Sequence, residues 1–238
     1  MVTGDGVAGG GAAGTGAAVP GVHWTSLSKL RKVAERGGAD ACVLDAPVIA
    51  VMPFLRRAAA RRAAELMVSR AGAPLQVLAV HDDIGGCPVE IWNLALRLTR
   101  GAFFIYCAED AFAGRYWLRF ALEAFQQKPG AGLLAFNDGK WFGQLAAFGL
   151  VRRSWLIGVY GGDLFHPGYV QHYGDTELTL IARQQEALVY HPHSLLVEVD
   201  HGKDGKAVNF PDKAMFEARA VLRFDGRVID PALMSTFG

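Results

Sequence analysis

From residue 47 onward, short apolar runs alternate with longer amphipathic stretches. Pro47–Met52 (PVIAVM) is compact, rich in β-branched residues and bounded by Pro53, the pattern of a strand buried on both faces. Residues 55–70 then place Leu55, Ala59, Ala63, Leu66 and Met67 at helical spacing. Arg56, Arg57, Arg61 and Arg62 fall largely on the other side of that helix and read as a solvated face. Further strands are predicted at Leu75–Val80, Ala102–Cys107 and Leu133–Phe136, with helices over 89–99 and 115–127 between them. Strands and helices alternating at these intervals predict an α/β fold: a single doubly wound, mostly parallel sheet with helices on both faces.

The flanks differ from this middle section. Residues 1–22 are almost entirely Gly, Ala, Val and Thr, with much backbone entropy to lose and little side chain to bury, so a flexible tail is expected. Residues 23–46 read as a basic helix, starting near Thr25 or Ser26 and stopped by Gly37-Gly38, followed by a linker. The main domain is expected over 47–202. A helical extension follows over 203–238, with its helix opening at Pro211. Met215, Phe216, Ala220 and Val221 give that helix an apolar side, which either packs back on the sheet or meets a partner subunit as a homo-oligomer.

Composition narrows the classes. Hydrophobic residues are 51% and charged residues 20%, enough for a packed core. A formal net charge of +1 argues against a protein that holds nucleic acid through a broad positive field. No apolar run reaches the roughly 18–20 residues that span a bilayer, so no transmembrane segment is expected. Cys42, Cys87 and Cys107 form no CxxC pair, and the first residues lack a basic-then-apolar leader, so a cytoplasmic location is expected.

The apolar strands end in acids: Asp82 and Asp83, then Glu109 and Asp110, then Asp138. In a parallel sheet these ends share one rim, where ligands of open α/β sheets bind. Any one of these acids reads equally well as a helix cap. Together they repel unless a cation or a donor-rich ligand joins them, and a divalent metal (Mg²⁺ or Mn²⁺) with a diphosphate meets that need. No GxGxxG or GxxxxGK[ST] follows the first strand, which removes the usual dehydrogenase and P-loop readings.

Several segments occur in a telling order. A strand leads to Met52-Pro53, and another ends at Asp82-Asp83. Asn93 stands ahead of Ala95 and Gly101, and AFFIYC leads into Ala108-Glu109-Asp110. Asn137-Asp138-Gly139 precedes a long loop, and GGDLFHPGYVQHYGDTELTLIA carries an acid at the start of a helix. From about Val48 to His201 this order resembles the family-2 glycosyltransferases of the GT-A fold, which use nucleotide-sugar donors. The resemblance implies a GT-A-like catalytic domain over 47–202, with Pro53, Asp82, Asp83, Asn93 and Glu109 on the donor. It implies a divalent cation at Asp110, in the place of the family's DxD motif, whose first Asp is here Ala108. It implies Asp175 as the base that deprotonates an acceptor hydroxyl in an inverting transfer, with Glu177 as the nearby alternative. Asp175 reads equally as an N-cap, and the two roles are compatible.

His201 falls where some relatives place a third metal ligand or a phosphate contact. His191 and His193, two apart on an expected strand that Pro192 ends, read more readily as surface residues than as a metal pair. His166 and His172 flank PGYVQ and, with Asp138 and Trp141, are candidates for the acceptor side. Two readings compete with a metal-dependent glycosyltransferase acting on a glycan or other hydroxyl acceptor. One is a non-catalytic binding or assembly domain, favoured by Ala108. The other is a nucleotidyltransferase, disfavoured by the lack of a Gly-rich basic loop after Met52.

Overall fold

The computed structural model describes residues 21–38, 41–199 and 209–236. The first half runs β1 (Val22–Ser26), α1 (Leu27–Gly37), β2 (Leu44–Asp45), β3 (Val48–Phe54), α2 (Arg57–Arg70), β4 (Gln76–His81), α3 (Pro88–Arg97), β5 (Thr99–Arg100), β6 (Phe103–Tyr106) and β7 (Ala111–Ala113). Then come α4 (Trp117–Gln127), β8 (Leu133–Asn137), β9 (Gly149–Arg152), α5 (Arg153–Tyr160), α6 (Gly174–Gln184), β10 (Leu188–Glu198), α7 (Phe210–Val221), α8 (Arg223–Gly226) and α9 (Pro231–Met234).

Eight strands form one sheet in the order β1-β4-β3-β6-β9-β8-β10-β7. Pairings β1–β4, β4–β3, β3–β6 and β8–β10 are parallel, and β9 runs against both β6 and β8. The strand alternation explains the two cores. Ile49 and Val51 of β3 face α1, α3, α5 and α6, while Val48, Ala50, Met52 and Phe54 face α2 and α4. Among the described residues no helix is long and apolar enough to cross a membrane.

The expected mostly parallel, doubly wound sheet is therefore present, with local departures. Trp24-Thr25-Ser26 is not the start of the basic helix. It pairs with β4, so the sheet begins upstream of residue 47. Leu55 is 70% exposed rather than part of the apolar stripe of α2, which is made by Ala60, Ala63, Ala64 and Met67. Arg57 lies 3.6 Å over the Trp24 ring, so it is not simply solvated. Pro192 does not end its strand: β10 continues to Glu198, shifts register between Tyr190 and Leu195, and finishes antiparallel to β7.

The C-terminal helix packs back on the body. Phe216 lies against Tyr173, with ring centroids 5.1 Å apart, and Arg219 is 7% exposed. Asn209 caps α7 by accepting from the Asp212 amide.

Candidate active site

Strands β3, β4, β6 and β8 point the same way, so Asp82, Asp83, Glu109, Asp110 and Asp138 do stand on one rim. Most of these carboxylates are satisfied by nearby donors. Asp83 accepts from the Ser28 amide at 3.0 Å and from the Ser28 hydroxyl at 2.5 Å, in the first turn of α1. Those bonds hold its carboxyl down at about 2. Asp82 accepts from the Gly86 amide at 2.8 Å and closes the turn before α3. Glu109 accepts from the Leu55 and Arg56 amides at 2.9 and 2.7 Å and from Arg56 Nε at 2.6 Å, so it caps α2 across the sheet. Asp138 is 3% exposed and accepts from the Lys140 and Trp141 amides at 2.9 and 2.8 Å. The rim thus needs no metal to offset repulsion among these four, because peptide N–H groups supply the counter-dipoles.

Three other expected site residues also have structural work. Asn93 is 4% exposed inside α3, accepts from the Leu164 and Phe165 amides and donates to the Phe165 carbonyl. It clamps the loop before α6. Glu177 is fully buried, and its carboxylate accepts from Tyr160 and Tyr169 hydroxyls at 2.8 and 2.7 Å and from Arg219 Nε and a second guanidinium nitrogen at 2.7 Å each. Both oxygens are thus engaged inside the core. His166 sits between the Tyr160 and Tyr169 rings, accepts from the Gly168 amide, and is pulled below its ordinary pKa by burial and then by Arg219. It belongs to the side of α7, not to the cleft described next. Pro53 is half-buried in β3, paired with Val80, beside a stack in which Phe54 lies on His81 at 5.2 Å.

The structure brings Trp141, His172 and Asp175 together. They line a cavity of about 380 Å³ with Ala108, Lys140 and Glu198. Asp175 does not cap α6. The residue before the helix is Tyr173, in the left-handed region at φ 68, and Asp175 lies inside the first turn, accepting from the Thr176 amide at 2.8 Å. Burial pushes its carboxyl up to about 6 against the opposing pull of the Thr176 amide and of His172. His172 Nε2 is sealed from solvent with no hydrogen-bond partner. The backbone leading to His172 is fixed by α7, since Asp212 accepts from the Val170, Gln171 and His172 amides at 2.8–2.9 Å.

A second cavity, about 420 Å³, is lined by Glu109 and Asp110 with Arg56, Arg62 and Phe112. The first cavity touches Ala108 and Glu198 and this one touches Glu109 and Val199, so the two flank the end of β6 and the tail of β10. Lys140 and Glu198 were not singled out from sequence, and Arg62, read there as part of a solvated helix face, lines the second cavity instead. Lys140 adjoins Trp141 in DGKW, and Glu198 lies on the part of β10 beyond the proline that was read as its end.

For a divalent ion, Glu109 does not fit, because its oxygens are held by the start of α2. Asp110 does fit as one hard oxygen ligand facing a cavity with two arginines, a setting in which phosphate oxygens complete the shell. Among the described residues no three His, Cys, Asp or Glu side chains form a metal-holding group. His201 lies outside the described residues. His191 stacks on Phe120 at 5.1 Å beside His193, a surface aromatic cluster.

This sheet, mostly parallel with helices around it, is that of the GT-A glycosyltransferase fold. A mannosyltransferase from Pyrobaculum calidifontis, solved with GDP-mannose and Mn²⁺, superposes with TM-score 0.58 at 13% identity, over 87% of this chain and 72% of that one. A glycosyltransferase involved in the glycosylation of the major capsid of PBCV-1 (TM-score 0.46, 12% identity, 71% and 98% covered) is a more distant match. So is the glucosyl-3-phosphoglycerate synthase of Mycobacterium tuberculosis (TM-score 0.44, 10% identity, 86% and 84% covered). No protein-family model and no curated protein matches by sequence.

Proposed function

We propose that the chain is a glycosyltransferase that moves a sugar from a nucleotide-sugar donor to an acceptor hydroxyl with inversion. The observation that carries this reading is Asp175: a carboxyl raised to about 6 by burial, on the wall of a cleft that also holds Trp141 and His172. A base of that strength is ionised at neutral pH and still takes a proton from a hydroxyl polarised by attack. Trp141 offers a flat face to a sugar ring, and the amide-bonded Asp138 holds the loop that carries it.

The donor's diphosphate lies, in this reading, along the adjoining cavity, where Arg56 and Arg62 supply positive charge. Asp110 would hold a divalent cation arriving with the donor, and such a cation, present as Mn²⁺ with GDP-mannose in the P. calidifontis mannosyltransferase, neutralises a leaving diphosphate. Asp82, Asp83 and Glu109 support the site by holding the helices and turns around it rather than by touching the donor.

Asp175→Asn tests the assignment. Transfer should fall by about 10²–10⁴-fold while the thermal shift produced by nucleotide sugars with Mn²⁺ is unchanged. Donor affinity falling as far as turnover would sink it. Ala108 and the engaged Glu109 favour a second reading, a nucleotide-binding domain without turnover. That reading is supported by a nucleotide-dependent shift with no donor consumption by the unmodified chain.

A further inference from the structure

A cavity of about 590 Å³ opens at the end of the sheet opposite the acid rim. Its floor is Thr99–Gly101, just before β6, and its walls are the last turn of α3 and the first turns of α5, which follows the antiparallel β9. Leu94, Leu98, Leu156 and Ile157 make it apolar, and Ile157 is 66% exposed at the mouth. Arg97, Arg100 and Arg153 also line it, and among the described residues that line it none is acidic.

Arg153 is the informative group. It donates to the Leu96 carbonyl at 2.8 Å and to the Thr99 hydroxyl at 2.6 Å, and it lies over the Phe104 ring. Its Nε is sealed from solvent without an acceptor, and none of its contacts among the described residues is a carboxylate. Arg97, in contrast, is paired with Asp163. Burial, and then the charge of Arg100, pull the Arg153 guanidinium down to about 10. A guanidinium withdrawn from water is stable when an anion meets it, and neutral oxygens alone leave most of the desolvation cost standing.

We infer that this cavity binds an amphipathic organic anion, with an oxyanion head at Arg153 and an apolar body against Leu94, Leu98, Leu156 and Ile157. The volume lies in the range of small-molecule sites, and the division into one cationic end and one apolar wall selects against both free inorganic ions and neutral sugars. The site is separate from the Asp175 cleft and does not depend on the glycosyltransferase reading.

Calorimetric titration of the full chain with octyl phosphate, octanoate, inorganic phosphate and octyl glucoside tests it. One or both of the amphipathic anions should bind at a single site at least ten-fold more tightly than inorganic phosphate or octyl glucoside, and the pair distinguishes a phosphate from a carboxylate head. Arg153→Gln should weaken that binding at least ten-fold. Because Arg153 also closes the end of α3, Ile157→Glu, a change at an exposed position, serves as the second variant and should do the same with the melting temperature unchanged. Equal binding of octyl glucoside, no binding of either anion at millimolar concentration, or unchanged affinity in Ile157→Glu would overturn the proposal.

Discussion

Asp212 offers a sharp test of how the C-terminal helix builds the cleft. It is 1% exposed, and its two oxygens take three backbone amides, those of Val170, Gln171 and His172. Asp212→Asn keeps the shape but leaves one carbonyl oxygen and turns an amide NH₂ toward at least one N–H donor. A hydrogen bond to a charged group contributes about 1.5–3 kcal/mol, and an amide left facing a donor adds desolvation cost. With one bond lost and the others weakened, the expected destabilisation is about 2–4 kcal/mol. For a chain of this size each kcal/mol moves the midpoint by about 2–4 °C, so Tm should drop by about 4–16 °C. Hydrogen exchange gives the local reading: amides 170–172 should lose protection beyond the global loss seen in β3. Transfer should fall with them, since His172 and Asp175 follow directly in the chain. Unchanged protection at these three amides, with a Tm drop under about 2 °C, would refute the account.

Other expectations follow from the same bonds. Arg219→Met strands the buried Glu177 carboxylate and should cost about 3–5 kcal/mol by urea unfolding, whereas the double variant Glu177→Gln/Arg219→Met should recover a large part. Glu109→Gln removes the charged cap of α2 and should cost about 1–2 kcal/mol in the same assay. The Asp175 carboxyl is raised from 3.8 to about 6, so the folded state binds the proton more tightly than the unfolded chain. The cost of its charge is therefore absent below about pH 4 and complete above about pH 6. Asp175→Asn should accordingly be more stable than the parent at pH 8 by about 3 kcal/mol, with the difference vanishing near pH 4, while kcat/KM of the parent rises with pH through about 6.

Strands β3, β4, β6 and β8 were legible because each is an apolar run too short for a helix and bounded by turn residues. β9 was not, because four residues, Gly149–Arg152, carry no period and are recruited only by pairing between β6 and β8. β1 was hidden because Trp24-Thr25-Ser26 runs straight into an amphipathic helix, and only tertiary pairing with β4 separates the two. The acids were legible in position but not in role, since a carboxylate at a strand end serves a helix start as readily as a ligand. Asp175 and Glu177 show the limit most clearly. They lie two apart on α6, about 200° around the helix, so one faces the cleft and the other the core. Sequence places both at the same helix start. Only the arrival of Arg219, 42 residues later, assigns the second to the interior.

The dependence on that late segment bears on the order in which the protein is made. When the ribosome has finished α6 and β10, the amides at 170–172 and the Glu177 carboxylate still lack Asp212 and Arg219. A nascent chain can pair its central strands, but it cannot set Asp175 in place until α7 has emerged and docked. The His172–Asp175 wall of the cleft is thus completed only once α7 is present, and a chain cut short before α7 should lack the bonds that fix residues 170–172.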